Sequence, residues 1–321
     1  MNFCHSEKQT DFPRVTVLSG GIGSEREVSL ASGQALADAL DGNFSVDLVD
    51  LRKAEVPAEL NPMETVVFPI VHGTFGEDGT LQGLLESAGF AYAGSDCLAS
   101  RLCMNKRDAK QKVSETQVLV APAIYFQDPT EVTVEDILYS IGPDMILKPT
   151  DQGSSVALYV LHGEEELAEV LSDLDSGNWM IEKRIFGREV TVGVLNGDAM
   201  GVVEVIPQGG VYDYERKYSA GSTEYRFPAV IPVELESQLK DNAQSVFQTC
   251  GCRDFARVDF MICEDGHPYF LEVNTLPGMT STSLLPKSAS CSGYDFENLA
   301  KQLIQPALDR FLQSASTPQR I

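Results

Sequence analysis

The sequence predicts three domains of α/β and α+β type, and two patterns along the chain support this prediction. Strands alternate with helices in residues 14–88, as in a doubly wound parallel sheet. From about residue 183, long strands and hairpins dominate, as in antiparallel α+β folds. The expected domains are residues 1–96, 97–182 and 183–321. This number of domains is one more than the length of the chain suggests by itself.

The first domain is predicted from apolar runs that alternate with amphipathic segments. Strands are expected at residues 14–19, 44–49 and 65–71, and helices at 24–40 and 80–88. Ser24 followed by Glu27 is the S-x-x-E pattern of a capping box, which predicts that the first helix starts at Ser24.

The other two domains follow from the same patterns. Residues 97–182 are predicted in the order helix, strand, helix, strand, strand, helix and strand. In the last domain, strands are expected at 189–195, 200–206, 255–263 and 268–275, and helices at 233–250 and 294–311.

The charge of the chain limits the classes of partner. It has 24 Lys and Arg residues against 47 Asp and Glu residues, a net charge of −23. This surplus argues against a nucleic-acid groove and against binding to an anionic membrane surface. It does not exclude a nucleotide, because a few local cations and a divalent metal dominate the field at short range.

A cytoplasmic location is expected from three further features. No stretch approaches the roughly 18 apolar residues of a membrane-spanning helix. The first 14 residues lack the apolar core of a signal peptide. The seven cysteines are odd in number and scattered, which indicates reduced thiols. Cys250 and Cys252 have no second pair or His cluster with them in sequence, so isolated buried thiols are favoured over a zinc or redox site.

A glycine turn follows the first predicted strand. Gly21-Ile22-Gly23 suggests dinucleotide binding, but Arg26 stands where G-x-G-x-x-G requires its third glycine, so a Rossmann dehydrogenase is not favoured. The turn can still bind an anion at the start of the helix. Glu25 in the first helical turn is equally explained by compensation of the helix dipole.

Two further loops follow predicted strands. The segment from His72 to Gly79 has three glycines in eight residues at the end of a strand, where α/β sheets bind ligands. A structural role for His72 is as well supported as a binding role. Lys148 directly follows the strand at 145–147 and precedes the Gly-Ser-Ser sequence. This arrangement suits the binding of a phosphate as well as it suits an ordinary hairpin with residues 156–160.

The hairpin at residues 255–275 carries the clearest chemical prediction. A two-residue turn at Asp265-Gly266 would place Asp259 opposite Glu272 and Arg257 opposite Asn274, all on one face. Like charges opposite one another destabilise a sheet, so we expect a hard divalent cation such as Mg²⁺ between them. The alternative is an exposed polar face that Arg257 compensates.

The opposite face of the same hairpin is predicted to be core, because its residues are apolar. They are Val258, Phe260, Leu271 and Val273. The segment at 209–225 holds four tyrosines without a regular period and is too long for a tight turn. It is predicted to be a lid, with a mobile surface loop as the alternative.

Taken in order, these motifs resemble the D-alanine–D-alanine ligase family of the ATP-grasp superfamily. The resemblance runs from about Val15 to Lys287 and rests on GGIGSEREVSL, HGTFGEDGTLQGLLE, KPTDQGSSV, YDYERKY and EVNTLPGMTSTSLLPK. It implies a three-domain ATP-grasp fold in which ATP lies between two antiparallel sheets. It also implies the ATP-dependent joining of two D-alanines for peptidoglycan precursors, by a homodimer that requires Mg²⁺ or Mn²⁺, with two ions expected.

The resemblance assigns a role to particular residues of this chain. The nucleotide-binding residues would be Lys106, Lys148, Ser155, Glu182, Lys183, Ile185 and Glu189. The metal ligands would be Asp259, Glu272 and Asn274. Lys217 would contact the γ-phosphate, and Arg257 with the Gly278 amide would form the oxyanion hole. Glu25 would bind the first ammonium group, with His72 near its carboxylate. Ser154 and Tyr218 would join Glu25 when the lid closes, and Ser283 and Leu284 would bind the second carboxylate.

Three positions depart from the family pattern near the nucleotide. Asn105 replaces the usual Asp before Lys106, Ala157 replaces a usual Gly, and Gln152 replaces a common Glu or other polar residue.

Tyr218 favours D-alanine over D-lactate as the second substrate. The competing functions are a ligase for another amino or hydroxy acid pair and a nucleotide-binding regulator without catalysis, with a phosphotransferase a distant third.

Overall fold

The computed structural model describes residues 13–153, 157–207 and 223–316. Four residues with predicted roles therefore lie outside the described part of the chain, together with most of the predicted lid. They are Ser154, Ser155, Lys217 and Tyr218.

The first part of the chain forms a parallel sheet, as predicted. Its elements are β1 (Arg14–Gly20), α1 (Arg26–Asp41), β2 (Val46–Leu51), β3 (Thr65–Pro69), α2 (Thr80–Ser87) and β4 (Ala91–Tyr92). The strand order is β2-β1-β3-β4 and all neighbouring strands are parallel. Every side chain of β3 is buried, which is typical of a strand covered on both faces.

The capping box predicted at Ser24 is wrong. Helix α1 begins at Arg26, and Glu25 occupies the N-cap position without a side-chain capping bond. The guanidinium of Arg26 instead hydrogen-bonds the Gly21 and Leu51 carbonyls at 3.1 and 3.0 Å and pairs with Asp50 at 2.7 Å. These contacts with the sheet hold the start of the helix two residues later than the local pattern indicates.

The middle of the chain follows the predicted order of elements, except that its first helix is divided into two helices and its first strand into two strands, β5 and β6. The elements are α3 (Cys97–Met104), α4 (Lys106–Val113), β5 (Leu119–Val120), β6 (Ala123–Phe126), α5 (Val134–Ile141), β7 (Asp144–Pro149), β8 (Tyr159–His162), α6 (Gly163–Asp173) and β9 (Trp179–Lys183). Asn105 separates the two helices because its extended backbone ends α3 while its side chain caps α4 through the Arg107 and Asp108 amides. Strands β6-β9-β7-β8 form an antiparallel sheet.

The last part of the chain forms a second, larger sheet. Its elements are β10 (Gly187–Leu195), β11 (Asp198–Pro207), β12 (Thr223–Arg226), α7 (Val233–Thr249), β13 (Phe255–Cys263), β14 (Pro268–Asn274), α8 (Leu284–Cys291) and α9 (Phe296–Ser316). The strand order is β12-β11-β10-β13-β14-β5, so β5 joins this sheet and lies parallel to β14. The three sheets agree with the predicted fold class, while the domain boundaries stay a prediction.

The predicted pairing of Asp259 with Glu272 is confirmed, but the predicted turn is not. The loop has three residues, 264–266, because the Cys263 amide bonds the His267 carbonyl at 3.0 Å. Gly266 at φ 83° provides the left-handed residue that such a loop requires.

An extra residue in β14 restores the predicted register at the site. The ladder pairs Asp259 with Glu272 but Phe260 with Phe270, so Leu271 is the inserted residue. The prediction that Leu271 packs in the core is therefore wrong. Phe270 is fully buried in its place, while Leu271 lines an open cleft.

An ion pair connects the last helix of the chain to the residue that precedes β13. Arg310 on α9 bonds both carboxylate oxygens of Asp254 at 2.8 and 2.5 Å and the Tyr92 carbonyl at 2.7 Å. Asp254 in turn accepts the Gly94 amide at 2.8 Å. These bonds join α9, the parallel sheet and the start of β13, and so fix the strand that carries the polar hairpin residues.

Three buried cysteines that are distant in sequence lie close together. Cys103 Sγ is 3.6 Å from Cys252 Sγ, and Cys250 adjoins them. The prediction that Cys250 and Cys252 are buried is confirmed, but the prediction that they are isolated is wrong. No group of three or more His, Cys, Asp or Glu side chains in the described residues is arranged to hold a metal ion.

Among the described helices, none combines the length and the apolar character needed to cross a bilayer.

Candidate active site

A cleft of ≈ 430 Å³ lies between the four-stranded antiparallel sheet and the six-stranded, mostly antiparallel sheet. It brings together many of the predicted site residues, which come from α4, from α8 and from five strands or their ends. Those that line it are Lys106, Lys148, Glu182, Lys183, Ile185, Glu189, Arg257, Asp259, Glu272 and Leu284.

Glu182 forms a buried ion pair with two lysines at one end of the cleft. Its Oε1 lies 2.6 Å from Lys148 Nζ and its Oε2 lies 2.8 Å from Lys110 Nζ. Burial raises the pKa of Glu182, but the two ammonium groups outweigh burial and lower it to about 2. The carboxylate is therefore ionised at neutral pH, and two cations hold it at the cleft wall.

The pKa values of the two lysines shift in opposite directions. Burial lowers the pKa of Lys110, and the charge of Lys148 adds to this effect while Glu182 opposes it. For Lys148, the attraction of Glu182 outweighs burial and raises the pKa. Lys148 is therefore a firmly charged group at the cleft, as expected of a residue that binds phosphate oxygens.

Lys110 is a site residue that the sequence interpretation missed. It is 1% exposed and also donates to the Phe270 carbonyl at 3.2 Å. Helical spacing could have revealed it, because Lys110 shares the buried face of α4 with Ala109 and Val113. A lysine on an apolar helix face requires a buried anion, and no local pattern identifies that anion as Glu182.

Lys106 is the first residue of α4 and lines the cleft. Its Nζ donates to the Gln152 carbonyl at 2.7 Å and lies 3.4 Å from Glu272 Oε2. The Lys106 amide bonds the Thr150 carbonyl at 2.7 Å, which ties the helix start to the end of β7. Gln152, one of the three departures, thus takes part through its backbone, whatever its side chain.

Asp259 is a heavily hydrogen-bonded carboxylate of the hairpin. It accepts two bonds from Arg257 at 2.9 and 2.8 Å, one from Thr191 at 2.5 Å and one from Asn274 at 3.1 Å. Asn274 donates through Nδ2 and so retains its Oδ1 as a ligand. Two carboxylates and an amide oxygen, directed to one face, fit a hard divalent cation.

The cleft has apolar walls and also polar lining residues that the sequence interpretation did not identify. Ile146, Leu158, Val205, Ile206, Met261 and Leu271 line the apolar walls. Among the polar residues, Glu204 is 5% exposed and pairs with Arg188 at 2.7 Å and Arg226 at 3.5 Å. Glu204 was also missed by the sequence interpretation, because an acid in an apolar strand gives no indication of its partners.

Glu25 and His72 lie in a second region, beside the parallel sheet. A Cβ on Gly73 would stand 3.0 Å from Glu25 Oε2, and one on Gly153 would stand 3.8 Å from the same oxygen. The Glu25 carboxylate therefore lies between the His-Gly loop and the start of the Gly-Ser-Ser loop. This contact brings together two motifs that are about 80 residues apart in sequence.

Glu77 was missed by the sequence interpretation and shapes the same loop. Its Oε2 accepts the Gly73 amide at 2.5 Å. Burial, and next the charge of Glu25, raise the pKa of Glu77 to about 8. At neutral pH this side chain is largely a neutral acid, so it adds little negative charge beside Glu25.

Gly278 and Ser283 belong to the loop between β14 and α8. A Cβ on Gly278 would meet Ser283 Oγ at 3.0 Å, so any larger residue would crowd the start of α8. Ser283 is the N-cap residue of α8, and its Oγ accepts the Thr280 amide at 3.1 Å. Leu284 follows at the edge of the cleft.

The backbone conformation of Ala157 explains why glycine is the usual residue at this position. Its φ is 52°, in the left-handed region that glycine adopts without steric cost. An L side chain there carries strain of order 1 kcal/mol. The departure at Ala157 therefore costs some stability in the loop beside Lys148.

Two family models match the chain. The model described as D-ala D-ala ligase N-terminus matches residues 50–95, and the model described as D-ala D-ala ligase C-terminus matches residues 117–305.

Curated relatives match over almost their whole length. A D-alanine--D-alanine ligase of Syntrophotalea carbinolica is 40% identical over 300 residues, which is 92% of this chain and 96% of the relative. One of Anaeromyxobacter sp. (strain K) is 41% identical with the same coverage.

Solved structures agree with these matches. A D-alanine--D-alanine ligase from Bacillus anthracis complexed with ATP has a TM-score of 0.80 at 30% identity and covers 94% of this chain and 99% of that one. The VanG D-Ala:D-Ser ligase of Enterococcus faecalis also has a TM-score of 0.80, at 27% identity, over 92% and 99% of the two chains. The fold, the residues of the cleft and these matches agree: the chain belongs to the D-alanine–D-alanine ligase family.

Proposed function

We propose that this chain joins two D-alanines into D-alanyl-D-alanine with cleavage of ATP, as an ATP-dependent carboxylate–amine ligase. The observation that carries the proposal is the cleft between the two antiparallel sheets, with lysines, carboxylates and apolar walls at the positions that the family motifs assign. The relatives at 37–41% identity over most of the chain support the same activity.

ATP fits the cleft by its chemistry. The apolar walls suit a purine, and the carboxylates of Glu182 and Glu189 suit the adenine amino group and the ribose hydroxyls. Lys106 and Lys148 supply positive charge for the α- and β-phosphates. Lys183 and the backbone near Ile185 complete the adenine end, and Ser155 adds a phosphate donor.

Mg²⁺ or Mn²⁺ is proposed at Asp259, Glu272 and Asn274, and two ions are expected there. A bound divalent cation neutralises the phosphate oxygens during transfer of the γ-phosphoryl group. The chain's part is to present the three oxygen ligands from paired strands. Arg257 and Lys106 balance the carboxylates in the absence of a cation.

The remaining residues position the amino acids. Glu25 binds the ammonium of the first D-alanine, and His72 lies near its carboxylate. That carboxylate attacks the γ-phosphate, where Lys217 compensates the developing charge, and gives an acyl phosphate and ADP. The second amine then attacks the acyl carbon and displaces phosphate.

The second substrate is held from the other side. Ser283 and Leu284 at the start of α8 bind its carboxylate. Arg257 and the Gly278 amide stabilise the oxyanion of the tetrahedral intermediate. Ser154 and Tyr218 complete the closed site with Glu25. We further propose a homodimer in the cytoplasm that supplies peptidoglycan precursors.

D-alanine-dependent ADP formation tests the proposal. The purified chain with ATP and Mg²⁺ is expected to release ADP with D-alanine as the only amino acid, and one dipeptide for each ADP. D-serine, D-lactate and L-amino acids serve as the comparison, and D-serine is the relevant rival because of the likeness to the VanG ligase. ATP binding without ADP release would support a regulator instead.

Tyr218→Phe tests the choice of second substrate. Relatives that accept D-lactate usually carry Phe at this position, so we expect the variant to shift preference toward D-lactate by about tenfold, an amount that corresponds to one hydrogen bond. The measurement is the ratio of ester to dipeptide product when both substrates compete. An unchanged ratio would remove Tyr218 from the specificity assignment.

A further inference from the structure

A short hydrogen-bonded chain connects helix α1 to the loop that carries Gly278. Ser32 is fully buried on α1, and its Oγ accepts the Met279 amide at 3.2 Å. The same Oγ lies 3.3 Å from His72 Nε2. The ring of His72 makes another hydrogen bond, to the backbone of Leu276.

The direction of these bonds follows from the charge of the ring. Burial, the largest effect, lowers the pKa of His72 to about 4 against the opposing charge of Glu25, so the ring is neutral at pH 7. A neutral imidazole has one donor and one acceptor. The Leu276 bond raises the pKa, as a carbonyl acceptor does, so the ring N–H goes to Leu276. Nε2 forms its hydrogen bond with the Ser32 hydroxyl.

The two anchors lie on either side of Gly278 in sequence. Residues 275–283 form neither helix nor strand, so no ladder of backbone hydrogen bonds fixes their amide groups. Leu276 is held by His72, and Met279, directly after Gly278, is held by Ser32. An oxyanion donor must point at the developing charge to within a fraction of an ångström, so its supports matter for rate.

We propose that Ser32 is a positioning residue that, with His72, aims the Gly278 amide at the tetrahedral intermediate. The proposal rests on the ligase function proposed above. Ser32 does not line the cleft and acts through its contacts with His72 and with the loop that carries Gly278. Its effect through the loop falls on attack of the second amine, because formation of the acyl phosphate occurs at the γ-phosphate and does not use the Gly278 amide. Any effect through His72 on the first D-alanine slows ADP and dipeptide formation alike and leaves their ratio at one.

The consequence is a change in what happens to the acyl phosphate. In the intact enzyme, the second D-alanine amine forms the peptide bond, phosphate leaves, and the amine loses a proton. When amine attack at the acyl carbon slows, water attack at the phosphorus of the acyl phosphate takes over, because it forms no oxyanion at the Gly278 amide; it breaks the P–O bond and returns free D-alanine and phosphate. ATP is then consumed without dipeptide, so the ratio of ADP to dipeptide rises above one.

Ser32→Ala is the test, with Ser29→Ala as the matched control. Ser29 lies one turn earlier on α1 and is also fully buried, but it bonds Gly20 and Ile70 beside the parallel sheet. Ser32→Ala is expected to lower kcat for dipeptide about ten- to hundredfold with little change in KM for ATP. ADP is expected to exceed dipeptide by at least twofold. Ser29→Ala keeps one dipeptide per ADP.

The stoichiometry does not depend on how much of the variant is folded, so loss of stability cannot imitate the result. A ratio of one in Ser32→Ala, or an equal excess of ADP in both variants, would overturn the positioning role. If the unaltered chain forms no ADP with D-alanine, the ligase function itself fails, and that outcome is distinct from both.

Discussion

Glu272→Gln is expected to abolish turnover, with kcat/KM lowered by at least about a hundredfold at physiological Mg²⁺. Glutamine keeps the size of the side chain but removes the negative charge that attracts a hard cation. Glu272 lies opposite Asp259 on the paired strands, so its loss leaves one carboxylate and one amide for the metal. The measurement is D-alanine-dependent ADP release over a range of Mg²⁺ concentrations.

The matched control for this variant is Glu264→Gln. Glu264 is an exposed acid in the loop of the same hairpin, so it tests the loss of one negative charge without loss of a ligand. The control is expected to keep normal turnover. We expect excess Mg²⁺ or Mn²⁺ to restore part of the activity of Glu272→Gln. Near-normal turnover of that variant at physiological Mg²⁺ would contradict the metal assignment.

The hairpin shows how far a sequence pattern can be trusted at a site. Alternation of polar and apolar residues predicts that Asp259 pairs with Glu272, and the structure confirms it. The predicted two-residue turn was nevertheless wrong, and the extra loop residue was offset by the insertion at Leu271. The pairing was predicted correctly because the extra loop residue and the inserted Leu271 cancel one another in the register. The residues of the turn alone cannot reveal a bulge five residues away.

The fold class was predictable for a different reason. Period-two and helical patterns are local properties, and they identified most of the longer strands and helices. The short strands β4 and β12 and the helix α8 were not predicted. The start of α1 was missed because long-range bonds from Arg26 to the sheet replaced a local cap. Local rules fail where a contact between distant residues decides the outcome.

The candidate site divides along the same line. Residues that belong to motifs, such as Lys148 and Asp259, were identified from sequence and line the cleft. Lys110, Glu77 and Ser32 were missed because their importance comes from partners that only the folded chain supplies. A buried ionisable group belongs to a pair, and the pair is visible only in three dimensions.

Lys110→Met is expected to lower the free energy of unfolding by about 3–5 kcal/mol, the usual cost of removing one partner of a buried ion pair. Methionine fills a similar volume, so the loss of charge dominates. Lys110 and Glu182 have side-chain exposures of 1% and 4%, so solvent cannot replace the missing cation. Lys148 still pairs with Glu182, which places the expected cost toward the lower end of this range.

Chemical denaturation of the variant, with Lys112→Met as the control, measures this cost. Lys112 lies on the same helix and pairs with Glu115 at 2.6 Å, but its side chain is 40% exposed. Exposed pairs of this kind contribute roughly 0–1 kcal/mol. A destabilisation of Lys110→Met no greater than that of Lys112→Met would contradict a role for Lys110 in stabilising the buried carboxylate.

The double variant Lys110→Met with Glu182→Gln separates the charge effect from packing. If the cost of Lys110→Met comes from an uncompensated carboxylate, neutralising Glu182 removes most of it, and the two changes together cost less than their sum. Additive costs would instead indicate that the lysine acts through packing against Phe270. Since Lys110 does not line the cleft, any weakening of ATP binding in Lys110→Met must act through the placement of Glu182.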